Sequence, residues 1–347
     1  MRELRVGIVG AGYIARARHI PCLQKNKHVA LVAVADVSTK ALEQVRSEFG
    51  MVANYTDYRQ MYDKERLDAV CICTPNKLHA RMTIEALCQG MHVLCEKPMA
   101  LNADEGRAMA DAALKANKIL SIAFHYRYKG ASRAAKRVVE AGELGDIYMA
   151  RVLALRRRGI PTWGVFTNKD LQGGGALIDY GVHLLDLALW LMGNPKVVEV
   201  TGITSQRLGT QPNVNLGGEW DYQGFQVEDH AAAFIRFEGG KALQLEASWA
   251  LNIAASVENV SLSGTEGGLD VFPFRVNKAA HDMLLDWVPN WMPGEQDEGG
   301  TGQAADFVDA ILEGRQPGVK AEEALQVSEI IDAIYESAAV GAAITSR

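Results

Sequence analysis

Two groups of residues have types and spacings suited to chemistry on a small polar substrate. The first is Glu96-Lys97-Pro98, which follows the apolar run Val93-Leu94-Cys95. Adjacent opposite charges at the end of such a run do not suit a core, although a surface turn also accommodates them. The second is Asp179 and His183 within ALIDYGVHLLDLALWLM, residues 176–192. On a helix that starts near Ala176 and ends before Gly193-Asn194-Pro195, the two lie on one face. Charged groups on so apolar a helix cost free energy unless they are used or paired; an internal ion pair is the alternative.

A third group points to a cofactor. Gly10-Ala11-Gly12-Tyr13-Ile14-Ala15 follows a strand pattern and opens a helix, giving G-x-G-x-x-A. The first glycine allows a tight turn and the second lets backbone approach a pyrophosphate. Ala15 allows close packing of helix on strand, and the helix N-terminus attracts phosphate. Asp36 ends the next strand, where a carboxylate accepts from the ribose hydroxyls of an adenosine and repels a 2′-phosphate. Val37, Ser38 and Thr39 follow it with no arginine, which favours NAD and leaves NADP open. Thr74-Pro75-Asn76-Lys77-Leu78-His79 ends a third strand. Thr74, Pro75, Asn76 and His79 there are candidate cofactor contacts, as are Tyr13 and Ile14 of the glycine loop and Glu96 and Lys97; for Asn76 and His79 a helix cap or turn role is the alternative.

The elements that must position these groups alternate over residues 1–123. LRVGIVG, ALVAVAD, LDAVCICTP, MHVLCEKP and KILSIAF read as strands, separated by helical patterns such as STKALEQVRSEFG, with Ser38 or Thr39 as its cap and Gly50 after its end. Continuous apolar strands alternating with amphipathic helices predict an α/β domain with a doubly wound parallel sheet. Pro21 predicts a short first helix and a restart with the proline in its first turn. From 124 to 347 the texture changes to longer strands joined by turns such as EGGK and GTEGG, an antiparallel or mixed sheet. Residues 206–226 read as a long loop, and the chain from Gln303 onward as helical, making this second part α+β.

Composition narrows the partners. With 36 basic and 42 acidic residues and no basic stripe, the chain does not suit nucleic acid. The start, MRELRVGIVG, runs straight into a strand without a leader pattern, and the longest apolar segment carries Asp179, His183 and Asp186, which argues against a membrane span of about 20 residues. A cytoplasmic location is expected. The five cysteines, Cys22, Cys71, Cys73, Cys88 and Cys95, read as small hydrophobes rather than disulfides or metal ligands, so no metal is expected.

The G-x-G-x-x-A loop, the T-P-N-x-x-H segment and Glu96-Lys97-Pro98 resemble the glucose–fructose oxidoreductase / inositol dehydrogenase (Gfo/Idh/MocA) family. The likeness extends through Gly142-Glu-Leu-Gly145, Gly173-Gly-Gly-Ala-Leu-Ile-Asp179-Tyr-Gly-Val-His183 and the closing helix around Ile330 to Gly341. It implies a Rossmann domain followed by a domain with a large open, mainly antiparallel sheet that serves substrate binding and oligomerisation, as a homodimer or homotetramer. It also implies an essential active-site Lys97, completed by Asp179 and His183.

The chemistry expected is hydride transfer between nicotinamide and a hydroxyl-bearing carbon of a sugar, cyclitol or sugar derivative. His183 suits general acid/base work near neutral pH. Lys97 suits stabilisation of alkoxide character, although a lysine with a lowered pKa can itself be the base. Asp179 binds a neighbouring hydroxyl or orients His183. Arg127, Arg156 and Trp163 are further candidates for substrate contact; for Arg156, in the run Arg156-Arg157-Arg158, a solvated strand end is the alternative, and for Trp163 it is core or lid packing. Two other outcomes share the fold: a redox-assisted glycoside hydrolase with no net redox change, and a catalytically silent NAD-binding sensor.

Overall fold

The computed structural model describes residues 3–50, 53–296 and 298–345. The chain separates into two compact units, Met1–His125 with Glu298–Leu325, and Tyr126–Asp297 with Gln326–Arg347. A single division at 123/124 does not describe the return of 298–325 to the first unit. Its cause is packing: Ala304, Phe307 and Val308 of the helix Gly300–Glu313 are buried in one core with Ile8, Ile20, Leu23 and Val34.

The first unit holds six parallel strands, β1 (Leu4–Val9), β2 (Val29–Ala35), β3 (Ala53–Tyr55), β4 (Ala69–Ile72), β5 (His92–Cys95) and β6 (Leu120–Ile122), in the order β3-β2-β1-β4-β5-β6. The central strands are buried along almost their whole length, as two-sided coverage by helices requires. Caps set the helix ends: Ser38 Oγ accepts from Ala41 N–H, and Gly50 closes the helix Thr39–Phe49 in the left-handed region. The strand order reverses between β1 and β4, which places a crevice at their carboxyl ends. After β1 the chain forms a π turn, Ala15–His19, then a short α-helix, Ile20–Gln24, with Pro21 in its first turn, the restart that the proline predicts.

The second unit is built on nine strands: β7 (Ile147–Leu155), β8 (Val197–Ser205), β9 (His230–Phe237), β10 (Ala242–Ser248), β11 (Val257–Gly264), β12 (Gly268–Asp270), β13 (Arg275–Ala280), β14 (Met283–Trp287) and β15 (Ile344–Thr345). Their order is β14-β13-β12-β11-β7-β10-β9-β8-β15, with β7 and β10 parallel and the other pairs antiparallel. The helix Val182–Met192 packs on β7 and β11 and is almost wholly buried, so its apolar length is explained by the core of this unit. The connection from β8 to β9 is a long loop, as the sequence predicts. Its start is fastened by Asp229, whose Oδ2 accepts the N–H groups of Arg207, Leu208 and Gly209 at 2.6–2.8 Å.

Candidate active site

In the first unit the glycine loop is shaped for an anion. Gly10 has φ +93°, and a Cβ there would lie 2.6 Å from the Cys73 carbonyl oxygen, so only glycine fits. A Cβ on Gly12 would meet nothing within 4 Å; the loop is open on that side, as close approach of a pyrophosphate requires. Tyr13 is exposed, Ile14 half-buried and Ala15 fully buried against the core. Asp36 receives Ala11 N–H at 2.7 Å on Oδ2 and Ser38 N–H at 2.8 Å on Oδ1, which aims the carboxylate beside the loop with lone pairs left for ribose hydroxyls. Thr74 Oγ1 is buried and has no hydrogen-bond partner among the described residues. An open glycine, a fixed carboxylate and an orphaned hydroxyl at the crevice fit a bound dinucleotide.

Asn76 is buried in the turn after β4. His79 departs from the role of a cofactor contact. It is fully buried, with Nδ1 2.8 Å from the Pro98 carbonyl and Nε2 2.9 Å from the Thr74 carbonyl. Burial pushes its pKa down despite those two carbonyls, and a neutral imidazole donates to only one of them. His79 therefore braces the Thr74-Pro75 turn against Pro98, and does so from inside the core.

Glu96 is buried, and each of its oxygens is engaged. Oε1 lies 2.7 Å from His19 Nε2, and Oε2 accepts the Lys97 N–H at 3.0 Å. Burial raises the Glu96 pKa, but the hydrogen bond and charge of His19 win and hold it at about 2. Lys97 follows with a half-buried side chain and a cis peptide to Pro98. His19 carries no sequence signal for this role; it sits on the π turn far from Glu96 in the chain. The same histidine lies with Cys71 and Cys73 in a buried group whose ligand atoms are all within 4.8 Å of one another. Burial drives the Cys73 thiol far up, which opposes the thiolate that a metal needs.

In the second unit Asp179 and His183 stand on one helical segment, but its first turn, Leu177–Gly181, is π rather than α, with Val182 N–H reaching back to the Leu177 carbonyl. π turns of this kind concentrate at functional sites. The turn is capped by Glu228, which accepts Gly175 N–H at 2.8 Å, Leu177 N–H at 3.0 Å and the Tyr335 hydroxyl at 3.0 Å. A Cβ on Gly175 would lie 2.0 Å from the Glu228 carbonyl oxygen, so the Gly173-Gly-Gly run is fixed by close approach. Asp179 is half-buried and receives the indole N–H of Trp249 at 3.0 Å; Trp249 itself is fully buried. His183 is buried and stacks on Tyr126, ring centroids 4.9 Å apart and planes at 24°.

The remaining candidates separate. Arg127 corrects the expectation of substrate contact: it is 2% exposed, and its Nε and Nη2 donate to Asp186 Oδ2 and Oδ1 at 2.9 and 2.6 Å. The guanidinium is consumed by a bidentate buried pair, and the internal ion pair of this helix is that one. Arg156 is half-buried, lying over the Tyr180 ring at 4.3 Å, beside Asp179 in sequence, so it is not a solvated strand end. Trp163 is 55% exposed and touches Phe166 edge-on, which excludes a core role.

Residues 4–124 match the family model described as an oxidoreductase family with an NAD-binding Rossmann fold, and residues 132–270 match the GFO/IDH/MocA C-terminal domain. D-glucoside 3-dehydrogenase of Escherichia coli is 35% identical over 339 residues, covering 97% of this chain and 96% of that relative. Levoglucosan dehydrogenase of Pseudarthrobacter phenanthrenivorans is 28% identical over 393 residues, covering 98% and 97%. A solved structure of levoglucosan dehydrogenase with NADH superposes with a TM-score of 0.87 at 26% identity over 100% of both chains. With the dinucleotide-shaped loop and both domains matched, the chain belongs to the Gfo/Idh/MocA family of NAD-binding oxidoreductases.

Proposed function

We propose that this enzyme oxidises a secondary ring hydroxyl of a pyranose sugar or glycoside, with NAD as the acceptor. The observation that carries this reading is the second-unit pair: a half-buried Asp179 held by Trp249, and His183 stacked on Tyr126, on a helix otherwise given to core. A carboxylate and an imidazole so placed suit neighbouring hydroxyls, one bound and one deprotonated. The likeness to D-glucoside 3-dehydrogenase supports a glucoside-like substrate and reaction at a ring carbon.

In this reading His183 takes the hydroxyl proton, Asp179 accepts a hydrogen bond from an adjacent hydroxyl, and the Lys97 ammonium stabilises charge on the reacting oxygen. Bound NAD supplies the hydride acceptor. Gly12 and Ala15 seat it by leaving room, Asp36 holds its ribose, and the Thr74 hydroxyl gains a partner. We place the enzyme in the cytoplasm, in keeping with its five free cysteines. Assembly as a homodimer or homotetramer through the outer face of the nine-stranded sheet is in keeping with exposed Ile203 and Phe234 there.

The test is NADH formation by the purified protein with NAD⁺ and a panel of glucosides, free aldoses, anhydrosugars and cyclitols, with NMR of the product to locate the carbonyl. Activity on a pyranoside that is lost in Lys97→Ala and in His183→Ala is expected. Bound NAD⁺ with no turnover of any sugar, or full activity in Lys97→Ala, would defeat the proposal.

A further inference from the structure

Behind the polar pair of the second unit lies one carboxylate to which no role has yet been given. Glu258 is on β11, on the side of the strand shared by buried Val260 and Leu262. Its Oε2 accepts two phenolic hydroxyls, from Tyr126 at 2.8 Å and from Tyr180 at 2.6 Å. Its Oε1 lies 4.0 Å from Lys129 Nζ. Each tyrosine leads to the site: Tyr126 is the ring on which His183 stacks, and Tyr180 follows Asp179 in the π turn. Lys129 lies over the Tyr126 ring at 4.1 Å and Arg156 over the Tyr180 ring at 4.3 Å, so both rings are also held from the side by cations.

We propose that Glu258 is a positioning residue: through Tyr126 and Tyr180 it fixes the plane of the His183 imidazole and the seat of Asp179. This rests on the assignment of those two residues to the substrate hydroxyls. A phenol ring is free to swing about its side-chain torsions, and a stacked imidazole follows the ring it lies on. Tethering both hydroxyls to one oxygen removes that freedom from both rings together. Burial, reinforced by Glu258, keeps both phenols protonated, so each remains a donor across the working pH range. The carboxylate touches neither substrate nor cofactor in this scheme and acts through the tyrosines alone.

The experiment uses full-length Glu258→Ala, Glu258→Gln and Tyr126→Phe proteins, labelled with ¹³C at the histidine Cε1. His183 is assigned by its loss in His183→Gln. In the wild type its resonance carries the ring-current shift of the stacked Tyr126. We expect that shift to collapse in Glu258→Ala and in Tyr126→Phe and to persist in Glu258→Gln, whose amide oxygen still accepts. With an oxidised sugar in hand, kcat should fall about tenfold in Glu258→Ala and less than about threefold in Glu258→Gln, with KM for NAD⁺ held within about twofold. The double variant Glu258→Ala/Tyr126→Phe should be no worse than Glu258→Ala alone. An unmoved His183 resonance in Glu258→Ala, or in Tyr126→Phe should the alanine variant not fold, overturns the proposal, as does additivity in the double variant. If the wild type oxidises no sugar, the functional assignment fails while the resonance still decides whether Glu258 sets the imidazole.

Discussion

The indole nitrogen of Trp249 donates to Asp179 Oδ2 at 3.0 Å, which ties the end of β10 to the π turn that carries the site carboxylate. Trp249 is fully buried, so packing fixes the donor, while the acceptor Asp179 stays half-buried and partly open to solvent. Trp249→Phe keeps an aromatic ring and removes the donor. A hydrogen bond to a charged group contributes about 1.5–3 kcal/mol, and the smaller ring adds a cavity cost. Urea unfolding should show a loss of about 2–4 kcal/mol, and kcat/KM for the sugar should fall at least about tenfold with NAD⁺ affinity unchanged. A variant that loses stability but keeps its kcat/KM would mean that Trp249 packs the unit without orienting Asp179.

Arg127 and Asp186 make a two-point ion pair with side chains 2% and 0% exposed, and Trp190 lies beside the guanidinium. Removing either partner leaves a buried charge without its two-point counter-ion. Asp186→Ala should therefore cost about 3–5 kcal/mol in denaturant unfolding, with Arg127→Met similar. Arg127→Met combined with Asp186→Leu should cost clearly less than the two single changes added together, because no charge is left behind. Strict additivity would contradict the pairing seen here.

The contrast between the two arginine candidates shows where sequence stops informing. Five strands of the parallel sheet and the G-x-G-x-x-A turn were legible because local patterning alone determines them: apolar runs, glycines and caps at fixed offsets. β3, Ala53–Tyr55, is only half-buried and carries Asn54 in its middle, so it shows no continuous apolar run, whereas the equally short β6 is fully buried. The β13–β14 hairpin stayed hidden for a different reason. Its turn residues His281 and Asp282 both have positive φ, 55° and 60°, yet the pair lacks the Asn-Gly or Asp-Gly signal that such turns favour. The site shows the same division. Lys97, Asp179 and His183 stand out by charge in apolar surroundings, whereas Trp249, Glu228, Glu258 and His19 reach their partners only through the tertiary fold. Arg127 lies 59 residues from Asp186, and nothing local distinguishes a buried guanidinium from one that meets a substrate.

The two loop glycines should respond in opposite ways to substitution. At Gly10, positive φ and the Cys73 carbonyl both forbid a side chain, so Gly10→Ala should unfold at lower denaturant even without cofactor, by at least about 2 kcal/mol. At Gly12 the space is open and φ is not positive, so Gly12→Val should leave the cofactor-free stability within about 0.5 kcal/mol. Its NAD⁺ affinity, read by calorimetry, should nevertheless drop by more than about tenfold as the side chain fills the approach of the pyrophosphate. Normal NAD⁺ binding by Gly12→Val would place the cofactor elsewhere.

The His19–Glu96 pair makes a statement about stability and pH. Burial disfavours a charged His19, but the Cys73 sulfur and the Glu96 carboxylate outweigh it and raise its pKa to about 9 from 6.5. Because burial also keeps Cys73 a neutral thiol, the carboxylate is the negative partner that acts at neutral pH. A raised folded-state pKa contributes stability that is complete below 6.5 and disappears as pH climbs through about 9. Glu96 is the reverse: lowered to about 2 from 4.5, it contributes fully above 4.5 and is lost as pH falls through about 2. The pair is thus worth most between 4.5 and 6.5. His19→Gln retains a donor for Glu96 but not the charge, so the gap in melting temperature between wild type and variant should be widest in that window. It should narrow steadily on the alkaline side as the imidazolium loses its proton. A gap that stays constant from pH 6 to 9, in the range where the two His19 pKa values differ, would show that His19 is neutral in the folded protein. The short contact to Glu96 would then be an ordinary neutral-donor hydrogen bond.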